Sequence, residues 1–311
     1  MARKRIPTGL SGVLAVDKPA GMTSHDVVTM VRRVTGERRV GHTGTLDPLA
    51  TGLLLVCVGP ATRLADYLMA GIKTYEARIC FGTATTTDDS EGEIIRTSDA
   101  PRKIEDAELA ADTLQGLVGE LLQVPPAFSA IKKDGVTSYK AARRGEAVVL
   151  EPRQVHLYDA KLLAIDRDYW NVQLTVSKGF YVRSFARDLG EHLESAAHLG
   201  ALRRTASGNV SVQQACQLSS LAPGEPLPFI DVVAALDLPV IEVDAAGAER
   251  VSNGMTLTAQ GVAQGQRSLA SVVQEDRLLA LYEVAGASGF AQPKIVIPTG
   301  CVSRRVRQGG A

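Results

Sequence analysis

Cysteine is scarce and unpatterned in these 311 residues. Cys57, Cys80, Cys216 and Cys301 form no Cys-x-x-Cys pair and have no paired histidines at ligand spacing, which argues against a disulfide framework or a structural zinc. All but Cys216 have only apolar or small neighbours, the setting of small buried hydrophobes, and none is assigned a chemical role. Long apolar runs are missing as well. The longest, Leu53 to Val58, has six residues against the roughly 20 of a membrane-spanning helix, so no membrane span is expected. No long apolar stretch follows the basic start Met1-Ala-Arg-Lys-Arg, which argues against a secretory signal and makes the cytoplasm the expected compartment. What is present is ordinary for a globular chain: 45% hydrophobic and 22% charged residues, a balance that excludes disorder and collagen-like repeats. At about 150 residues per domain, the length suggests two domains.

Net charge is absent in sum, with 34 basic and 34 acidic residues, yet present in patches, and a polyanion responds to patches. Residues 1–40 carry a net +5 and residues 131–144 a net +4, against −7 over residues 85–121. Taken alone, this polarity fits a nucleic-acid surface and a solvated enzyme face equally well.

The run Gly12 to Val16 reads as a strand entering the turn Asp17-Lys-Pro-Ala-Gly21. Thr23 or Ser24 then caps a helix carrying Val27, Val28, Val31 and Val34 at helical spacing and stopping near Gly36. A polar loop, Gly41 to Gly52, feeds the apolar strand Leu53 to Val58. Alternation predicts strands over Lys73 to Phe81, Val155 to Ile165 and Trp170 to Val176. Spacing predicts a helix over Ile104 to Leu121, and Ser184 is expected to cap another. Strands and helices alternate without a βαβ rhythm, so the expected class is α+β, with a mixed, largely antiparallel sheet flanked by helices. A Pro-rich stretch, Pro223 to Pro228, precedes a restart at Val240. Short strands such as Arg277 to Val284 and Lys294 to Ile297 follow, separated by Gly-rich turns. The expected division is 1–236 for the larger domain and 237–311 for a small β-barrel.

The Gly41 to Gly52 loop combines glycines, a histidine, hydroxyls and one aspartate, but neither Gly-Lys-Ser/Thr nor Gly-x-Gly-x-x-Gly, so it is neither a P-loop nor a dinucleotide loop. Asp47, between Leu46 and Pro48, is partly desolvated on this reading and needs a cation or hydrogen-bond donors. By itself it reads first as a cap on the Pro48 turn. The acidic run Asp88-Asp89-Ser-Glu91 reads as a polar turn between strands.

Four segments in order change that reading: Asp17 to Ser24, Gly41-His-Thr-Gly-Thr-Leu-Asp-Pro-Leu-Ala-Thr-Gly52, Lys73-Thr-Tyr75 and Ser177-Lys-Gly-Phe-Tyr-Val-Arg-Ser184. Together with His198 to Arg204 they resemble the TruB family of tRNA pseudouridine-55 synthases across residues 11–235. The remaining C-terminal part resembles a compact PUA-type RNA-binding domain, through Glu249-Arg-Val-Ser-Asn-Gly254 and β-like spacing.

The resemblance implies a reaction: a T-loop uridine of tRNA is detached from its ribose at N1, turned and rejoined through C5. As an isomerisation it requires no redox cofactor, nucleotide or metal. By position in the motifs, Asp47 is the catalytic aspartate, adding to the base or the ribose or abstracting a ribose proton. Arg183 is its charge partner, and Tyr75 stacks on the target base. Extruding the base costs a few kcal/mol in lost stacking, and His42 occupies the space that it vacates or stacks on a displaced base. Tyr181 and Leu202 line the pocket, with Lys18 and Arg63 as basic residues nearby. Arg143, Arg144, Arg203 and Arg204 are expected phosphate contacts, because guanidinium forks suit phosphate. The implied partner is the tRNA T stem-loop, met by a monomer away from any membrane. A non-catalytic RNA-binding or RNA-folding protein on the same fold is the alternative, against which Asp47, Arg183 and Tyr75 argue. A hydrolase lacks a second matched carboxylate as general acid.

Overall fold

The structure, a computed structural model, describes residues 8–99, 102–128, 132–133, 136–137, 150–258, 268–285 and 289–303. In chain order the elements are β1 (Gly12–Lys18), α1 (Ser24–Thr35), β2 (Val40–His42), β3 (Thr51–Val58), α2 (Ala65–Ala70), β4 (Lys73–Phe81), β5 (Thr83–Thr85), β6 (Ile94–Thr97), α3 (Ala107–Gly116), β7 (Gly119–Gln123), β8 (Lys132–Lys133), β9 (Val136–Thr137), β10 (Arg153–Ile165), β11 (Tyr169–Val176), α4 (Val182–His192) and β12 (Ala197–Ser207). There follow β13 (Val210–Ser211), β14 (Cys216–Gln217), α5 (Val232–Leu236), β15 (Val240–Glu242), α6 (Ala245–Ser252), β16 (Leu257–Thr258), β17 (Ser268–Gln274), β18 (Arg277–Ala285) and β19 (Phe290–Val302). Two compact units emerge: Met1–Pro48, Gly52–Ala70 and Ala206–Ala311 form one, and Leu49–Thr51 with Gly71–Thr205 the other.

In the first unit β1 pairs antiparallel with β3, Val13 opposite Cys57 and Asp17 opposite Leu53, and parallel with β14. Helix α1 begins as the sequence predicts: Thr23 and Asp26 form a reciprocal capping box, and Gly36 closes the helix at φ 65°. Such a box satisfies amide groups that the first turn otherwise leaves unpaired. The helix buries Val27, Val28 and Val31 on one face. Gly59, at φ 65°, lies where a Cβ would come within 2.0 Å of the Leu10 carbonyl oxygen, so no other residue fits there.

The C-terminal strands of this unit form one sheet in the order β15-β17-β18-β19-β16. It does not stand apart. Val273, Leu278, Leu281, Ile297 and Cys301 share a buried apolar cluster with Val13, Ala15, Leu53, Leu55, Cys57 and Leu64. The backbone of Val302 donates to Ser11, and Arg63 to the Val296 carbonyl.

The second unit is built on β12-β4-β11-β10-β7, antiparallel from β4 through β7. Trp170 is buried at its centre, edge-on to Phe81 at 5.0 Å, with its indole nitrogen donating to Ile104. The helix predicted over Ile104 to Leu121 is shorter. α3 ends at Gly116, and Gly119, at φ 135°, turns the chain into β7, where Leu121 faces Val155 of β10. Its buried stripe is Ala110 and Leu114, leaving Leu109 exposed. Helix α4 also departs from expectation. Tyr181 is its N-cap, without a side-chain capping bond, and Ser184 is buried inside the first turn, its hydroxyl donating to the Val124 carbonyl.

Candidate active site

Asp47 occupies a loop that is fixed on both sides of it. Leu46 is buried, its N–H donating to Ser24 Oγ at 2.8 Å and its carbonyl accepting from the same hydroxyl at 3.1 Å. Beyond Asp47, the Pro48 carbonyl accepts from Gly21 N–H at 2.8 Å and from Lys18 Nζ. Further back, Thr43 N–H donates to Leu55 of β3, and Gly44, at φ 139°, makes the bend with its N–H on His42 Nδ1. Leu46 and Pro48, each held in this way, fix the backbone on both sides of Asp47, the condition for an oriented reactive group. Ser24 ties this loop to α1, a link that motif reading alone does not reveal.

Lys18 is fully buried, its ammonium donating to the carbonyls of Pro19 and Met22 at 2.8 and 2.7 Å. It therefore braces the Pro19–Met22 turn from within and reaches the Asp47 loop through the Pro48 carbonyl. Arg63, in the short helical turn Gly59–Leu64, is exposed and turned to β19 through Val296. His42 ends β2 and is half-buried.

In the second unit Tyr75 lies on β4 opposite Leu174, half-buried on the face shared with Ala77 and Ile79. Tyr181 precedes α4, and its backbone is held twice by one buried side chain: Gln123 Oε1 accepts from Tyr181 N–H at 3.0 Å and Gln123 Nε2 donates to the Tyr181 carbonyl at 3.2 Å. Leu202 is buried on β12, its carbonyl accepting from Thr51 Oγ1, and Arg203 is half-buried, donating to the same hydroxyl. Arg204, expected on a phosphate, is only 3% exposed, and a guanidinium so covered offers no fork to a backbone phosphate. Arg143 and Arg144 lie outside the described residues.

Arg183 is buried, and its guanidinium donates to the carbonyls of Thr87 at 3.1 Å and Phe128 at 2.9 Å and pairs with Asp89 at 3.5 Å. The acidic turn is thus more than a solvated bend. Asp89 is buried too, accepting from Thr87 Oγ1 and Glu91 N–H. A buried charge requires a partner and hydrogen bonds, and here an arginine and an aspartate hold each other's orientation. Lys73, two residues before Tyr75 on the same face, is buried with its Nζ on the Gly71 carbonyl. Burial first, then the positive charges of Arg204 and Lys178, push it down to about 8. Asp89, Gln123, Ser24 and Lys73 are the site-shaping residues that motif positions alone did not assign.

Residues 32–182 match the family model described as TruB family pseudouridylate synthase, N-terminal domain. A tRNA pseudouridine synthase B of Syntrophotalea carbinolica is 44% identical over 259 residues, covering 82% of this chain and 84% of that protein. One of Thermobifida fusca is 44% identical over 294 residues, covering 92% and 98%. Among solved structures, a Cbf5-Nop10-Gar1 complex chain aligns with TM-score 0.69 at 22% identity, covering 96% of this chain and 90% of that one. A chain of an H/ACA RNP bound to a substrate RNA containing 2'-deoxyuridine aligns at 0.68, also at 22% identity, covering 92% and 84%. At that identity the two structures speak for the fold.

Proposed function

The chain belongs to the TruB family of pseudouridylate synthases and isomerises uridine in tRNA to pseudouridine, and from that premise we propose that its target is uridine 55 of the T loop, reached by base flipping and turned over by Asp47. In the reaction the C1′–N1 bond breaks and C1′–C5 forms; the proton lost from C5 is balanced by one gained at N1. The balance leaves no electron to supply and no atom to add.

The observation that carries the proposal is the Asp47 loop, in which residues on both sides of the carboxylate are tied down by Ser24, Gly21 and Lys18. Arg183 is the cation that the motif assigns to Asp47, its positive charge favouring the ionised carboxylate. Asp89 aims that arginine. Extruding the base costs a few kcal/mol. Tyr75 returns part of that by stacking on the flipped base, and His42 fills the place it leaves. Tyr181 and Leu202 shape the pocket wall, and Arg203 meets the sugar–phosphate backbone. Residues 237–311 act as a PUA-like RNA-binding part. The enzyme works in the cytoplasm as a monomer.

Pseudouridine mapping in tRNA from cells lacking this protein tests the assignment. Loss of the T-loop mark alone is expected; an unchanged T-loop mark, or loss at another tRNA position, would overturn it.

A further inference from the structure

Helix α4 carries two arginines one turn apart, Arg183 and Arg187, and the turn between β5 and β6 presents two successive acids to them. Asp89 pairs with Arg183 at 3.5 Å, and Asp88 pairs with Arg187 at 2.9 Å. In an extended strand neighbouring side chains point to opposite faces, but Asp88 takes φ 59°, and that left-handed step brings both carboxylates to one helix. The arrangement repeats on the other side. Arg183 donates to the Phe128 carbonyl, and Arg187 to the Val124 carbonyl at 3.0 Å, where the Ser184 hydroxyl also donates. The inner pair is almost wholly buried, whereas Arg187 and Asp88 keep 24% and 17% of their side chains exposed.

We propose that the outer pair, Arg187 with Asp88, positions Arg183 for the isomerisation. The proposal rests on the reading of Arg183 above. Arg183 is aimed by Thr87, Asp89 and Phe128. Asp88 stands between the first two in sequence, and Val124 begins the segment that carries the third. Arg187 grips both, so it sets where all three groups stand. Neither Arg187 nor Asp88 touches the reacting atoms in this scheme; both are positioning residues. Backbone bonds keep the turn folded without them, so that their loss shifts side-chain placement and leaves the fold intact: Leu199 N–H donates to the Asp88 carbonyl and Ser90 N–H to the Leu199 carbonyl.

Asp88→Asn is the sensitive variant, because asparagine tolerates the left-handed conformation while removing the charge; Arg187→Gln is its counterpart, and Arg187→Lys restores the charge without the fork. Single-turnover pseudouridine formation, tRNA affinity and the melting temperature are measured for each full-length variant. A displacement of about an ångström at a reacting group can cost up to about a hundredfold in rate, so Asp88→Asn and Arg187→Gln should slow the single turnover at least about tenfold. Affinity and melting temperature should stay near wild type, Arg187→Lys should recover part of the rate, and the double variant should be no slower than the worse single. Unchanged single-turnover rates in folded variants overturn the proposal, as does a loss that follows the melting temperature and vanishes on cooling. Should Arg183→Gln also run at the wild-type rate, the reading of Arg183 fails, and the proposal falls with it.

Discussion

Gln123 shows how much one uncharged side chain can decide. Its amide is buried and makes two bonds to the backbone of Tyr181, so Gln123→Leu leaves a buried donor and acceptor unpaired at a cost of about 1–3 kcal/mol each. Urea unfolding of this variant should show a loss of about 2–6 kcal/mol for the two groups together, with a weaker substrate step because Tyr181 is released. Lys73 gives a pH signature. Its folded value, about 8, lies below the unfolded 10.5, so between those values the unfolded chain holds more protons and stability rises with pH. Below about pH 8 the burial penalty is fully present, and it is relieved as the pH climbs toward 10.5. Relative to Lys73→Met, wild-type stability should therefore increase across that window in a pH series of denaturant titrations; a flat difference would contradict it. Asp47 could be found from sequence because it lies in a long contiguous motif. Asp89 could not, since what makes it matter is Arg183, far along the chain, and two adjacent acids before a glycine look like any polar turn.

Local chemistry decided which elements were legible. Helix α1 could be read to within a residue, because Thr23, Asp26 and Gly36 punctuate it, and β4 because its alternation has a period of two. Thr23→Ala should cost about 1 kcal/mol in global stability, the usual worth of an N-cap hydroxyl, as read from the denaturation midpoint at constant slope. Because Ser24 of the same turn holds Leu46, a fall in turnover beyond what stability explains would show that fraying reaches the Asp47 loop. The stretch after α3 misled. Leu109, Leu114 and Leu117 fit a helical stripe within Ile104 to Leu121, but Leu121 belongs to a strand whose partner, Val155, lies beyond a long intervening segment. A pattern of leucines does not reveal such pairing, and only the two glycines, Gly116 and Gly119, hinted at the break. The first turn of α4 is a similar case: Ser184 looks like a cap, yet its hydroxyl is committed to Val124.

At the scale of the molecule, the C-terminal sheet packs on the strands that frame the Asp47 loop, and the cluster from Val13 to Cys301 is common to both. Deleting residues 237–311 uncovers Val13, Leu53, Leu55 and Leu64, and at roughly 1.5–3 kcal/mol per large side chain the exposure rivals the 5–15 kcal/mol by which most domains are stable. Truncation should therefore lower the melting temperature sharply or prevent folding, as circular dichroism would show. An intact melting curve for the truncated chain would mean that the cluster contributes little. For that reason the proposed RNA role of the sheet is better probed by surface substitutions than by deletion. The proposed reaction turns on one carboxylate acting on one uridine, and the direct measurement is pseudouridine mapping on unmodified tRNA incubated with the purified protein or with Asp47→Asn, alongside tRNA affinity for both. The expected result is a single new pseudouridine in the T loop with the wild-type chain and none with Asp47→Asn, which still binds tRNA within a few-fold because shape and phosphate contacts remain. Turnover by Asp47→Asn, or a mark outside the T loop, would contradict it.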